Sequence, residues 1–261
     1  MPTHESLAAS GSVSTSVADG IADICFGHPK SNSLPASVLS ALAREVSMVG
    51  QREDVHVIVL RSYGTGAFCA GASFDELTSL TDPVAGKEFF MGFARVILSM
   101  TQCLKPIVAR VQGKAVGGGV GIVAASDYVI ALESASLRLS ELAVGIGPFV
   151  VGPVIEHKIG SGAFGQMALD AGWRDAQWGE RHGLYARLVS TSAELDRATD
   201  DFAGMLAASN PDAVAHIKRI TWPDVENWPR LLEERAAMSG TLVLSDYTRR
   251  AIAAFASRGS G

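Results

Sequence analysis

Cysteine is scarce in this chain: three residues, at 25, 69 and 103, in 261. An odd number at wide spacing, with no CxxC pair and no Cys/His cluster, argues against a disulfide framework or a zinc site. Reduced thiols in a cytoplasmic setting are expected, and no metal. Excess basic charge is also lacking. The net charge is −5, which leaves no electrostatic footprint for nucleic acid and no polybasic stretch for an anionic membrane. No apolar run approaches the eighteen or so residues of a membrane span, and MPTHESLAASGSVSTSV has no cationic patch leading into an apolar run, so no signal peptide is expected. The phosphate-binding GxxxxGK[ST], the nucleophile elbow GxSxG and the zinc-binding HExxH are all missing. One GxGxxG occurs, GSGAFG at 160–165, but the preceding PVIEHKI reads as helix rather than strand. Turn or helix-packing glycines are the expectation there, not a dinucleotide site. There is no internal repeat, and the only biased segment is the Ser-rich start.

What is present is a large core. Hydrophobic residues make up 48% and charged residues 19%, enough for one large domain, or one with a small appendage. The first dozen residues, 1–12, read as a flexible tail. VSTSV and IADICFG flank Ala18-Asp19-Gly20 as a hairpin. From Pro35 to Val49 the residues Val38, Leu39, Leu42, Val46 and Val49 form one helical stripe. HVIVL reads as a buried strand, a helix is expected from Pro83 to about Leu104, and IVARV follows Lys105-Pro106 as another strand. This alternation predicts an α/β fold. After about residue 193 the strands stop. AELDRATDDFAGMLAAS, NPDAVAHIKRI and SDYTRRAIAAFAS all read as helices, giving a core over 13–193 and a helical region over 194–261.

GKAVGGGVGIVAASD places glycines after a strand and at a helix start, where unpaired N–H groups and the positive end of the helix dipole point outward. Two readings stay open for these residues: an anion or oxyanion site, or close packing of helix on strand. Helix 119–126 carries the chain out by roughly 12 Å and YVIAL brings it back by roughly 16 Å, so LRLSELAVGIGP returns near the glycines. It holds one acid, Glu141, between Leu139, Leu142 and Val144. Such surroundings raise a carboxyl pKa and suit proton transfer; a surface glutamate at a strand end is the alternative.

GAFCAGASFDEL (66–77) together with KPIVARVQGKAVGGGVGIVAASDYVIALESASLRLSELAVGIGP (105–148), with HPKSNSL near the start, resembles the crotonase, or enoyl-CoA hydratase/isomerase, superfamily. The resemblance covers roughly 13–258. It implies a spiral core of repeated ββα turns and a C-terminal helical region that builds a homotrimer or dimer of trimers. It also implies an acyl-CoA thioester substrate, coenzyme A being part of the substrate, and no separate cofactor. The implied oxyanion donors are the N–H groups of Ala72 and Gly118. Lys30 would lie near the CoA phosphates, and Ala70, Phe90, Val144 and Phe149 would contact substrate, with Phe90 equally able to be core. Two-glutamate hydratases of this kind carry a second acid where this chain has Gly121, and Ser73 replaces a typical aspartate. The remaining single glutamate resembles the pattern of enzymes that shift 3-enoyl-CoA to trans-2-enoyl-CoA. Hydration assisted by Asp75, Glu76 or Glu88 is the alternative. A hydrolase or dehalogenase lacks a nucleophilic aspartate in GIGPFVV, and a non-catalytic acyl-CoA-binding protein is a reading from another class. His182 is expected to be structural.

Overall fold

A computed structural model describes residues 8–258. The chain opens with an antiparallel hairpin, β1 (Ser12–Ala18) and β2 (Ile21–Gly27), turned by Asp19 and Gly20 at φ 51° and 78°. Two consecutive positive φ values are what a tight two-residue turn demands, and Asp-Gly tolerates them. The expected tail therefore ends one residue early, because Ser12 already pairs with Gly27; residues 1–7 of that tail lie outside the described residues. Helix α1 (Ala36–Gly50) buries the stripe Val38, Leu39, Leu42, Val46 and Val49 read from the sequence.

The chain then coils. From β3 (Val57–Ser62) it passes Cys69, which bridges to Ala115, and enters α2 (Phe74–Ser79) and α3 (Pro83–Gln102). The second turn runs β4 (Ile107–Val111), β5 (Ala115–Val116) and α4 (Gly118–Ala125). The third runs β6 (Tyr128–Leu132), β7 (Ser136–Arg138), a short 3-10 turn at Leu142–Val144 and α5 (Gly152–Leu169). Then come β8 (Arg174–Asp175), α6 (Ala176–Arg181) and β9 (Arg187–Val189). The strands build a six-stranded sheet, β1-β2-β3-β4-β6-β9, parallel after the first pair, and a small sheet, β5-β7-β8. Each turn visits the large sheet, then the small one, then a helix. This is the expected α/β spiral of ββα turns. GSGAFG lies within α5, where Gly160 (φ 76°, ψ 159°) breaks the helix, in keeping with a turn glycine.

Helices α7 (Ser192–Ala207), α8 (Pro211–Thr221), α9 (Trp228–Leu242) and α10 (Asp246–Arg258) form the C-terminal region. Asn210 caps α8, its Oδ1 accepting from the N–H groups of Asp212 and Ala213. Helix α7 covers one face of the large sheet, with Ala203 against Val57, Val59 and Val108, and Leu195 and Ala198 against Ile130. Helices α1, α3 and α4 fill the other face. Helix α9, not read from the sequence, crosses α3 at two glycines: a Cβ on Gly86 would lie 2.7 Å from the Gly240 carbonyl oxygen. Such backbone proximity needs small residues rather than a bold apolar stripe. It sets Ser239 of α9 against the cavity described next.

Candidate active site

A cavity of about 350 Å³ lies where the coils meet. Its walls come from the loop Ala70-Gly71-Ala72, helices α2 and α3 (Phe74, Leu77, Phe90, Phe93), the glycine loop Val116-Gly117-Gly118, and the segment from Arg138 through Val144 to Val151, closed by Trp173 and Ser239. Most of the lining is apolar.

Local bonds hold the two loops. Leu34 N–H donates to the Gly71 carbonyl and Ala70 N–H to that of Ser31, while Val116 N–H donates to Cys69 and Gly117 N–H to Arg138. Gly71 takes φ +88°, and a Cβ there would lie 2.9 Å from the Val116 carbonyl oxygen, so the loops approach as only glycine permits. The N–H groups of Ala72 and Gly118, both on the cavity wall, have no hydrogen-bond acceptor among the described residues. Gly118 opens helix α4, whose first N–H groups have no partner within the helix. Ser73 caps α2, its Oγ accepting from Glu76 N–H, a role that an aspartate fills equally well.

The helix α4 glycines answer close packing as well. A Cβ on Gly118 would strike the Phe93 ring at 2.0 Å, and one on Gly119 would lie 2.7 Å from the Cys69 Cβ. Gly117, at φ +53°, faces Glu141: a Cβ there would sit 3.0 Å from Oε1. Close packing is therefore met at Gly118 and Gly119, while Gly118 also leaves its N–H unpaired on the cavity wall.

Glu141 starts the 3-10 turn, its carbonyl accepting from the N–H groups of Val144 and Ile146. Gly145 closes the turn at φ +84°, and Thr248 of α10 donates to its carbonyl. The Glu141 carboxyl is buried, and Oε2 has no hydrogen-bond partner among the described residues. Loss of water raises its pKa from 4.5 to about 7, with backbone donors at Glu141 and Ser140 opposing. A surface glutamate is excluded by this placement.

Ala70, Ala72, Phe90, Gly118, Glu141, Val144 and Phe149 all line the cavity. Phe90 also packs edge-on against Phe89, 5.4 Å between centroids, so it serves both the core and the wall. Lys30 does not join them. It is exposed and paired with Asp75. The acids weighed as substitutes are engaged elsewhere: Asp75 with Lys30, Glu76 with the Ala36 N–H at 2.7 Å, and Glu88 with Arg95 at 2.6 Å. Among the described residues Glu141 is the one carboxylate in the cavity wall. At Gly121, a Cβ would meet Val151 Cγ1 at 2.6 Å, so a valine fills the space beside that helix turn. His182 stacks on Trp178, 4.0 Å between centroids, with Nδ1 2.8 Å from the Trp178 carbonyl oxygen, away from the cavity. Arg138, Trp173 and Val151 were not anticipated. Arg138 was findable, because in LRL the buried Leu137 and Leu139 leave the residue between them on the opposite face. No His/Cys/Asp/Glu group among the described residues could hold a metal ion, and no helix there is long and apolar enough to cross a membrane.

The family profile described as enoyl-CoA hydratase/isomerase matches residues 16–260. The chain belongs to the enoyl-CoA hydratase/isomerase family. It is therefore a member of the crotonase superfamily of enzymes. One relative, from Rhodococcus jostii (strain RHA1), is named (7aS)-7a-methyl-1,5-dioxo-2,3,5,6,7,7a-hexahydro-1H-indene-carboxyl-CoA hydrolase; it is 33% identical over 132 residues, and the match spans only 51% of either chain. A second, carnitinyl-CoA dehydratase of Proteus mirabilis (strain HI4320), is 24% identical over 243 residues, 87% of this chain and 92% of the relative. In fold, the crystal structure of enoyl-CoA hydratase from Bacillus halodurans superposes with a TM-score of 0.86 at 21% identity, covering 93% of this chain and 99% of that one.

Proposed function

We propose that this family member binds an acyl-CoA thioester in the cavity and shifts the double bond of a 3-enoyl-CoA to the trans-2 position. The carrying observation is that Glu141 is the single carboxylate of the cavity wall among the described residues, buried and with a pKa near 7. In this reading the thioester carbonyl oxygen accepts from the N–H groups of Ala72 and Gly118. A Glu141 oxygen takes a proton from the α-carbon. The C–H electron pair passes into a dienolate whose negative charge rests on the thioester oxygen, and Glu141 returns the proton to the γ-carbon. Nothing is gained or lost overall, so one base suffices. Each well-aimed oxyanion donor is worth about 2.7–4 kcal/mol in the transition state. A base whose pKa lies near the working pH takes up and gives back a proton with least penalty.

Hydration is the second reading, favoured by the name of the Proteus relative, a dehydratase, since dehydration is its reverse. It needs a second group to hold and deprotonate water. Asp75, Glu76 and Glu88 are bonded elsewhere, and Val151 occupies the space beside Gly121. The deciding experiment is a side-by-side assay of a 3-enoyl-CoA and the 2-enoyl-CoA of equal chain length. Isomerisation is expected to exceed hydration by more than tenfold. Hydration at an equal or greater rate would overturn the single-base reading, and binding without any product would point to a non-catalytic acyl-CoA binder.

A further inference from the structure

Arg138 lies at the end of β7, three residues before Glu141, and is the one cationic side chain in the cavity wall among the described residues. Its Nε donates to the Ala171 carbonyl at 2.7 Å, and its guanidinium lies 5.7 Å from the centroid of the Trp173 ring. These contacts fix the plane of the group and use one of its five N–H donors. Its two terminal nitrogens have no hydrogen-bond partner, and it joins no ion pair, among the described residues. Lys114 approaches the same indole, 5.2 Å from its centroid, adding positive charge at this end. The acid in the neighbouring loop, Asp170, is already taken by Arg174 and by the Gly172 N–H. Arg138 and Glu141 both line this cavity, and no ion pair joins them among the described residues. An anchored arginine facing a mostly apolar space offers a planar fork suited to a carboxylate.

We propose that Arg138 selects an acyl-CoA whose acyl chain ends in a second carboxylate, the guanidinium binding that carboxylate while the thioester lies at the glycine loops. This rests on the acyl-CoA reading above and names its substrate class. The other anion available is the CoA phosphate, which every acyl-CoA carries, so the test must separate the two.

Calorimetric binding of two saturated thioesters does so without turnover: butanoyl-CoA, and pentanedioyl-CoA, which is the same chain with a terminal carboxylate. The unaltered protein is expected to bind pentanedioyl-CoA at least about tenfold more tightly, the scale of a charge-assisted hydrogen-bonded pair. Arg138→Met should remove that preference and leave butanoyl-CoA affinity within about twofold; Arg138→Lys, which keeps the charge but not the fork, should retain part of it. Equal binding of both thioesters by the unaltered protein overturns the inference and leaves the acyl-CoA reading standing. So does an Arg138→Met variant that weakens both thioesters and free CoA alike, which would assign the arginine to the phosphates. If neither thioester binds, both readings fall.

Discussion

Two acids sit inside this molecule, and their surroundings are opposite. Asp127, between α4 and β6, accepts from Trp222 Nε1 and from the Ile107 N–H, each at 2.7 Å, and pairs with Lys218 Nζ at 2.8 Å. Lys218, 3% exposed, donates in addition to the carbonyls of Met100 and Lys105. Glu141 has a buried Oε2 with no partner, and its charge is opposed by loss of water. A buried charge that is fully bonded ties elements together: here α8 to the end of α3 and the start of β4. A buried carboxyl left unmatched is costly to ionise and open to a substrate proton. One cluster serves the fold; the other is suited to chemistry.

The largest expected effect comes from Glu141→Gln. Turnover should fall by about 10²–10⁴ if the side chain is the acting base, with thioester affinity nearly unchanged and stability at pH 8 higher. The stability arm follows from linkage. The folded pKa of about 7 lies above the ordinary 4.5, so between those values the folded protein keeps a proton that the unfolded chain has lost. Stability from this group is therefore present below about pH 4.5 and lost as pH rises to about 7, by on the order of 3 kcal/mol. Turnover should rise over the same upper limb as the base ionises. Paired pH profiles of kcat and of urea unfolding for both proteins check this; retained activity, or an unchanged stability slope in the variant, would erase the contrast between the two acids.

Lys218→Met probes the other side. It leaves the partly buried Asp127 with one partner fewer and strands two carbonyls in the interior, at a cost of about 3 kcal/mol. Denaturant unfolding should show that loss, while turnover per folded molecule stays within about twofold. A loss of turnover without loss of stability would place Lys218 in the chemistry.

The smallest effect is expected at Gly121. A glutamate there would stand where two-glutamate hydratases carry their second acid, but its Cβ would fall 2.6 Å from Val151 Cγ1. Gly121→Glu alone should cost about 1–3 kcal/mol through overpacking and give no hydration. Joined to Val151→Gly, it should regain stability and raise hydration relative to isomerisation. A gain in hydration from the single substitution would show that Val151 yields easily.

Much of the spiral was legible because strand and helix periods alternate plainly: IVARV and YVIAL became β4 and β6, and the stripe from Val38 to Val49 became the buried face of α1. Helix α9 escaped because its close crossing with α3 depends on Gly86 and Gly240, small residues that carry no hydrophobic signal. The small sheet escaped because β5 and β8 are two residues each, too short for any period to show.

Sequence by itself determined the candidates for chemistry: a lone glutamate among apolar neighbours and two glycine-bearing loops, with a glycine at 121 where the family resemblance implies a second acid. Only the tertiary structure decided that they meet in one cavity, that Lys30 is absent from its wall and Arg138 present, and that Val151 fills the space beside Gly121. The physical reason is range. Period, turn and cap preferences act between residues a few positions apart and are written in local composition, whereas dehydration of Glu141 and the fit of Val151 to Gly121 arise between segments twenty or more residues apart, when separate turns of the chain close on one another.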